Sequence, residues 1–219
     1  MSPVMNTERD KAAASAGLSP EHLKHVAEAI AAAEQKTSAE IRVVVSRAPV
    51  VTHPFFPMLW AGLAALILPW GIQFLGNFSS LSILQVQAII FMVSAGIFML
   101  PSLSEYVVPR MALKSAVRTA AIETFLAHGM VQTAGRTGVL IFVAAHERMV
   151  EVVADEGVHS HLGPSTWAEI CASIARHASS GQLGEGLATG VAFAGEQLAV
   201  ILPPQPGGLN ELDDRVIIL

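Results

Sequence analysis

The chain has 219 residues, 52% of them apolar, with a formal charge of −5 and a mean hydropathy of +0.51. No basic stripe interleaved with aromatic residues is present, which argues against nucleic-acid binding. One cysteine, Cys171, excludes an internal disulfide and fits a reducing compartment.

In chain order, Met1–Asp10 carries no apolar core behind its charges and does not read as a secretory signal peptide. Residues 1–18 read as a loose, polar, Ala-rich segment. Ser19-Pro20-Glu21 then has the marks of a helix start: a hydroxyl cap, proline at the first helical position and an acid in the first turn. Leu23, Val26, Ile30 and Ala33 recur at helical spacing and predict one buried face, ended by Thr37-Ser38. Glu40–Ser46 is dense in β-branched residues and predicts a strand buried on both faces.

Between Arg47 and Glu105 no side chain is formally charged. Two apolar runs, Phe55–Leu75 and Leu81–Leu103, flank the small polar stretch Gly76–Ser80. Each is about 20 residues, enough to cross a hydrocarbon core as a helix. The expectation is a transmembrane helical hairpin over residues 53–104. Lys36, Arg42 and Arg47 precede it and Arg110, Lys114 and Arg118 follow it, whereas the connecting turn has no Lys or Arg. The positive-inside rule therefore places both termini in the cytoplasm and the turn outside, in a multi-pass protein of the inner (cytoplasmic) membrane. Gln73, Gln85 and Gln87 are the main polar groups inside the runs, too few for an ion pathway.

Pro109–His128 predicts a helix with Leu113, Val117, Ala121 and Phe125 in one stripe, stopped by Gly129. Gly138–Ala144 predicts a second buried strand, and His146-Glu147-Arg148 a tight turn. Met149–Ala154 predicts a third strand returning antiparallel. Thr166-Trp167-Ala168-Glu169 has capping-box spacing, followed by a face of Trp167, Ile170, Cys171, Ile174 and Ala178. A last helix spans about Leu183–Ile201 with Leu187, Val191, Ala194 and Leu198 inward. Residues 203–219 form a Pro/Gly linker and the strand-like tail Val216–Leu219. That tail is expected to fold back and cover an edge of its own sheet.

A lone strand before the insertion cannot bury itself, so Glu40–Ser46 must pair with Val139–Ala144 across it. Residues 19–52 and 105–202 then make one discontinuous α/β domain. Both halves must lie on the same side of the membrane, in agreement with the charge argument.

The segment Ala33–Ile41 followed by a Val-rich strand resembles the opening of the TPM domain. So do Phe125–Met130 with Thr133, the hairpin Gly138–Asp155 with Gly157-Val158, Trp167, and the Gly181, Gly186 and Gly190 stretch. The resemblance covers nearly all of the chain outside the apolar hairpin. It implies a three-layer α/β/α sandwich with a small mixed sheet, interrupted here by the two-helix transmembrane hairpin. It also implies a loose association with acid phosphatase activity. The family includes thylakoid-lumen proteins and many bacterial membrane proteins, and this chain resembles the bacterial subgroup with an inserted hairpin.

Asp155 and Glu156 follow a strand at the edge where α/β sheets bind ligands, and are the candidate catalytic pair. Against that stands the ordinary role of Asp155 as a turn cap. Asp155 with His159 and His161 offers oxygen and nitrogen ligands for a divalent cation, set against a plain surface loop. Glu147 and Arg148 are expected to pair with Glu40 or Asp155 across the sheet. Thr133–Gly138 is Gly-rich and carries a cation, but it precedes a strand, which does not suit a phosphate cradle. The reading is an accessory binding or scaffolding protein on the bilayer, with a membrane protein or a second copy as partner. The alternative is a weak phosphatase-like hydrolase.

Overall fold

The computed structural model describes residues 17–51, 54–73, 76, 79–100, 106–133, 135–159, 161–204 and 213–219. The expected loose segment up to residue 16, the turn residues Asn77 and Phe78, and linker residues 205–208 lie outside these. Helix α1 (Pro20–Glu34) starts where the cap predicted. Ser19 Oγ accepts the His22 N–H at 3.1 Å and His22 Nδ1 accepts the Ser19 N–H at 3.2 Å, a reciprocal capping box with histidine in the acid's place. Its buried residues are Leu23, Val26, Ile30 and Ala33.

Strands β1 (Glu40–Ser46), β2 (Gly138–Ala144), β3 (Met149–Ala154) and β4 (Ile217–Ile218) form one mixed sheet in the order β3-β2-β1-β4. β1 pairs parallel with β2 from Glu40–Gly138 to Ser46–Ala144, across the insertion as expected. β3 returns antiparallel on β2. β4 lies parallel to β1, with Ile217 opposite Val44 and Ile218 opposite Val45, so the tail does fold back onto the sheet edge.

Alternation along the strands sorts the side chains onto two faces. Ile41, Val43, Val45, Val139, Ile141 and Val143 share a core with α1, α6 (Pro164–Ser179) and α7 (Leu183–Ile201). Val44, Leu140, Phe142 and Ala144 share a second core with Val117, Ala121 and Phe125 of α4 (Arg110–Ala127). Helices thus cover both faces, which is why β1 and β2 read as unbroken apolar runs. Between β3 and α6 lies the short α5 (Glu156–His159).

The expected capping box at Thr166 and Glu169 does not form. The helix starts three residues earlier, at Pro164, with Gly163 as a cap that has no side chain to offer. Proline's fixed φ favours the first helical position and outcompetes the hydroxyl signal downstream.

Residues Met1–Val50 with Ala116–Leu219 make one compact unit, and Val51–Ser115 make another. The second holds α2 (Phe55–Gln73) and α3 (Ser80–Phe98), which pack on each other. Within it the Trp60 indole N–H donates to the Val107 carbonyl at 2.9 Å. Helix α3 is long and apolar enough to cross a membrane, and none of its most apolar stretch is buried. The apolar stretch of α2, Phe55–Gly71, is shorter.

Candidate functional site

Asp155 leaves β3 with its side chain buried, only 5% exposed. Its Oδ1 accepts the Glu156 N–H at 2.7 Å and a guanidinium N–H of Arg136 at 3.0 Å. A third hydrogen bond, from Arg136 Nε to Oδ2, is 3.4 Å long. Arg136 also reaches the exposed Glu156 at 3.3 Å. The hydrogen bond and charge of Asp155 raise the Arg136 guanidinium above its ordinary value. The loop and turn are also joined through their backbones, because the Gly157 N–H donates to the Arg136 carbonyl at 3.1 Å. A Cβ on Gly157 would stand 2.7 Å from that oxygen and 2.8 Å from the Gly135 carbonyl, so only glycine permits the approach.

This is a clasp between the 133–138 loop and the start of α5. It corrects the expected partner of Asp155, which is Arg136 and not Arg148. The sequence hid it because the two lie 19 residues apart and Arg136 adopts a left-handed φ of 50°. Glu147 instead accepts the Val50 N–H at 2.6 Å. The cation set of Asp155, His159 and His161 does not converge. Asp155 is turned to Arg136, and His161 Nδ1 bonds back to the Gly157 carbonyl at 3.1 Å. No group of three or more metal-ligating side chains meets among the described residues. Glu156 is 80% exposed and lies beside the clasp.

A cavity of about 420 Å³ opens elsewhere in the same unit, at the carboxyl ends of β1 and β4. Open α/β sheets commonly bind ligands at this end. Ser46, Ala48, Pro49 and Val50 line it where the chain leaves β1. Phe142 of β2 and Leu219, just past β4, form more of the wall. The flank of α4 supplies Ala120, Glu123, Thr124 and Ala127, and His128 follows at its end. These α4 positions recur at three and four residues, which is one helix face. The sequence stripe of α4 pointed to the core and missed this neighbouring face. Phe142 and Val50 already read as apolar, but nothing in the spacing brought them to Glu123.

Residues 106–197 match the family model of the TPM domain, which bears out the resemblance over that stretch. No curated protein sequence matches the chain. Among solved structures, the BA42 protein from the psychrophilic bacterium Bizionia argentinensis aligns with a TM-score of 0.57 at 19% identity. It covers 92% of this chain and 94% of that one. At that identity the likeness is one of fold.

Proposed function

We propose that this chain, TPM-like over residues 106–197, is a membrane-anchored binding module with an accessory role at the cytoplasmic face of the inner membrane. Its anchor is the pair α2 and α3, inserted as a hairpin with both termini on the cytoplasmic side. One observation carries the reading. Helix α3 runs 19 residues without a charge and exposes its apolar side chains, with Met92 72%, Leu84 62% and Ile89 60% accessible. A surface of that kind on one face of a water-facing helix would be an aggregation hazard, whereas lipid accepts it on all sides. The charge-free interval from Arg47 to Glu105 gives α2 the same surroundings, with Pro69 tolerated inside a membrane helix.

Binding suits the α/β unit better than hydrolysis at the sequence-predicted pair. The Asp155 carboxylate is ion-paired with Arg136 and its Oδ1 also accepts the Glu156 amide, so its close bonds hold the loop and turn together.

The test is extraction of the full chain from membranes. Retention in the pellet through an alkaline carbonate wash, with release by detergent, is expected. A reporter active only outside the cytoplasm should respond at Asn77 and stay silent at either terminus. Recovery of folded protein in the soluble fraction without detergent would overturn the anchor.

A further inference from the structure

The cavity at the carboxyl ends of β1 and β4 has an unusual balance of hydrogen-bonding groups. Most of its wall donors are spent inside the protein. Ser46 Oγ donates to the Ala48 carbonyl at 3.2 Å, and Thr124 Oγ1 donates to the Ala120 carbonyl at 2.7 Å. The Val50 amide is taken by Glu147, the His128 amide by the Thr124 carbonyl and the Leu219 amide by the Val45 carbonyl. Pro49 has no N–H to give.

What remains open to a ligand accepts rather than donates. Glu123 is exposed and has no ion pair or hydrogen bond among the described residues. His128 Nδ1 lies 2.9 Å from the Thr124 carbonyl. A carbonyl only accepts, so that nitrogen carries the proton and Nε2 of the neutral ring is an acceptor. Glu123 is also the one formally charged side chain among the lining residues. Between these acceptors the wall is apolar: Val50, Ala120, Ala127 and Phe142.

We propose that this cavity binds a small amphiphilic ammonium, its N–H groups donating to Glu123 and His128 Nε2 and its apolar body lying against Val50, Ala120 and Ala127. The assignment rests on reading the α/β unit as a binding module and names its ligand class. The chemistry discriminates in one direction. A carboxylate or phosphate would face the like charge of Glu123 with few donors to meet it, and a half-buried anion short of donors is disfavoured. An ammonium meets an acceptor at both polar positions, and hydrogen bonds to charged groups are the stronger kind. The cavity is open to solvent along one side, so a ligand would lie in it partly exposed.

The experiment is calorimetric titration of the full chain in detergent with benzylamine, benzyl alcohol and benzoate, which share a ring and differ in the polar group. Benzylamine is expected to bind, benzyl alcohol at least ten-fold more weakly, and benzoate not measurably. Glu123→Gln keeps the size of an exposed side chain and removes its charge, and should weaken benzylamine at least ten-fold. Ala120→Leu fills the cavity and should abolish binding while the circular dichroism spectrum is retained. Benzoate binding as tightly as benzylamine, or benzylamine binding unchanged by either substitution, would overturn the proposal. Membrane retention does not enter this readout. Protein washed off membranes by carbonate that still binds benzylamine would remove the anchor and leave the ligand assignment standing.

Discussion

Glu34 closes α1 with one carboxylate oxygen accepting the Ile41 N–H at 2.8 Å. Burial pushes this carboxyl up from 4.5 to about 8, and the charges of Glu40 and Asp214 push the same way, against the Ile41 amide. The folded protein therefore holds a proton here over a range in which the unfolded chain has lost it. Stability from this group is fully present below about pH 4.5 and is lost as pH rises to about 8. Each pH unit of separation corresponds to about 1.4 kcal/mol, reduced by solvent access to a half-buried group. Glu34→Gln keeps an acceptor for Ile41 and removes the titration. Urea unfolding at several pH values should show the wild type losing stability across this window relative to the variant; parallel curves would contradict the assignment. Asp155 is a buried carboxylate that accepts from Arg136 and from the Glu156 amide. Asp155→Ala strips the Glu156 amide and Arg136 of their acceptor and should cost about 1–3 kcal/mol in denaturant unfolding. Glu156→Ala, at an exposed side chain, should stay within about 0.5 kcal/mol of wild type.

Between elements, α7 approaches α1 closely at Gly195. A Cβ at Gly195 would stand 2.5 Å from Ala33 Cβ and 3.0 Å from its Cα, and neither atom can swing aside. Gly195→Ala should force the helices apart and destabilise by about 1–3 kcal/mol, read as a lowered melting temperature with the same spectrum. An unchanged melt would mean that the two helices separate without loss. This contact also shows what the sequence carried and what it did not. The apolar stripes of α1 and α7 and the Val-rich strands were legible, because period 3.6 and period 2 report burial directly. β1 had to find β2 because it had no other strand on its own side of the insertion. The Gly195 contact was not legible, since a missing side chain has no period. The Asp155–Arg136 clasp escaped for a related reason: it depends on a left-handed φ at a non-glycine residue, which composition does not signal. Pro164 overrode the Thr166 cap because competing start signals are settled by backbone geometry and not by spacing.

At the scale of the whole molecule, no described residue of the insertion belongs to either core of the α/β unit. Both clusters draw only on residues up to Val50 and from Val117 onward. Pairing of β1 with β2 closes a chain loop through the insertion, and loop-closure entropy changes slowly with length, by about 0.6 kcal/mol per doubling. Replacing Val51–Ser115 with a flexible Gly/Ser linker therefore shortens that loop without removing a core contact. The excised chain should be soluble without detergent and should unfold cooperatively. In hydrogen exchange it should keep the slow amides of β1 and β2, whose ladder runs from Glu40–Gly138 to Ser46–Ala144. It should also keep Glu123, His128 and the cavity wall, since every lining residue lies outside the excised stretch. Benzylamine affinity equal to that of the full chain is expected. An aggregated product, or fast exchange throughout β1, would mean that residues 51–115 stabilise the fold and do more than anchor it.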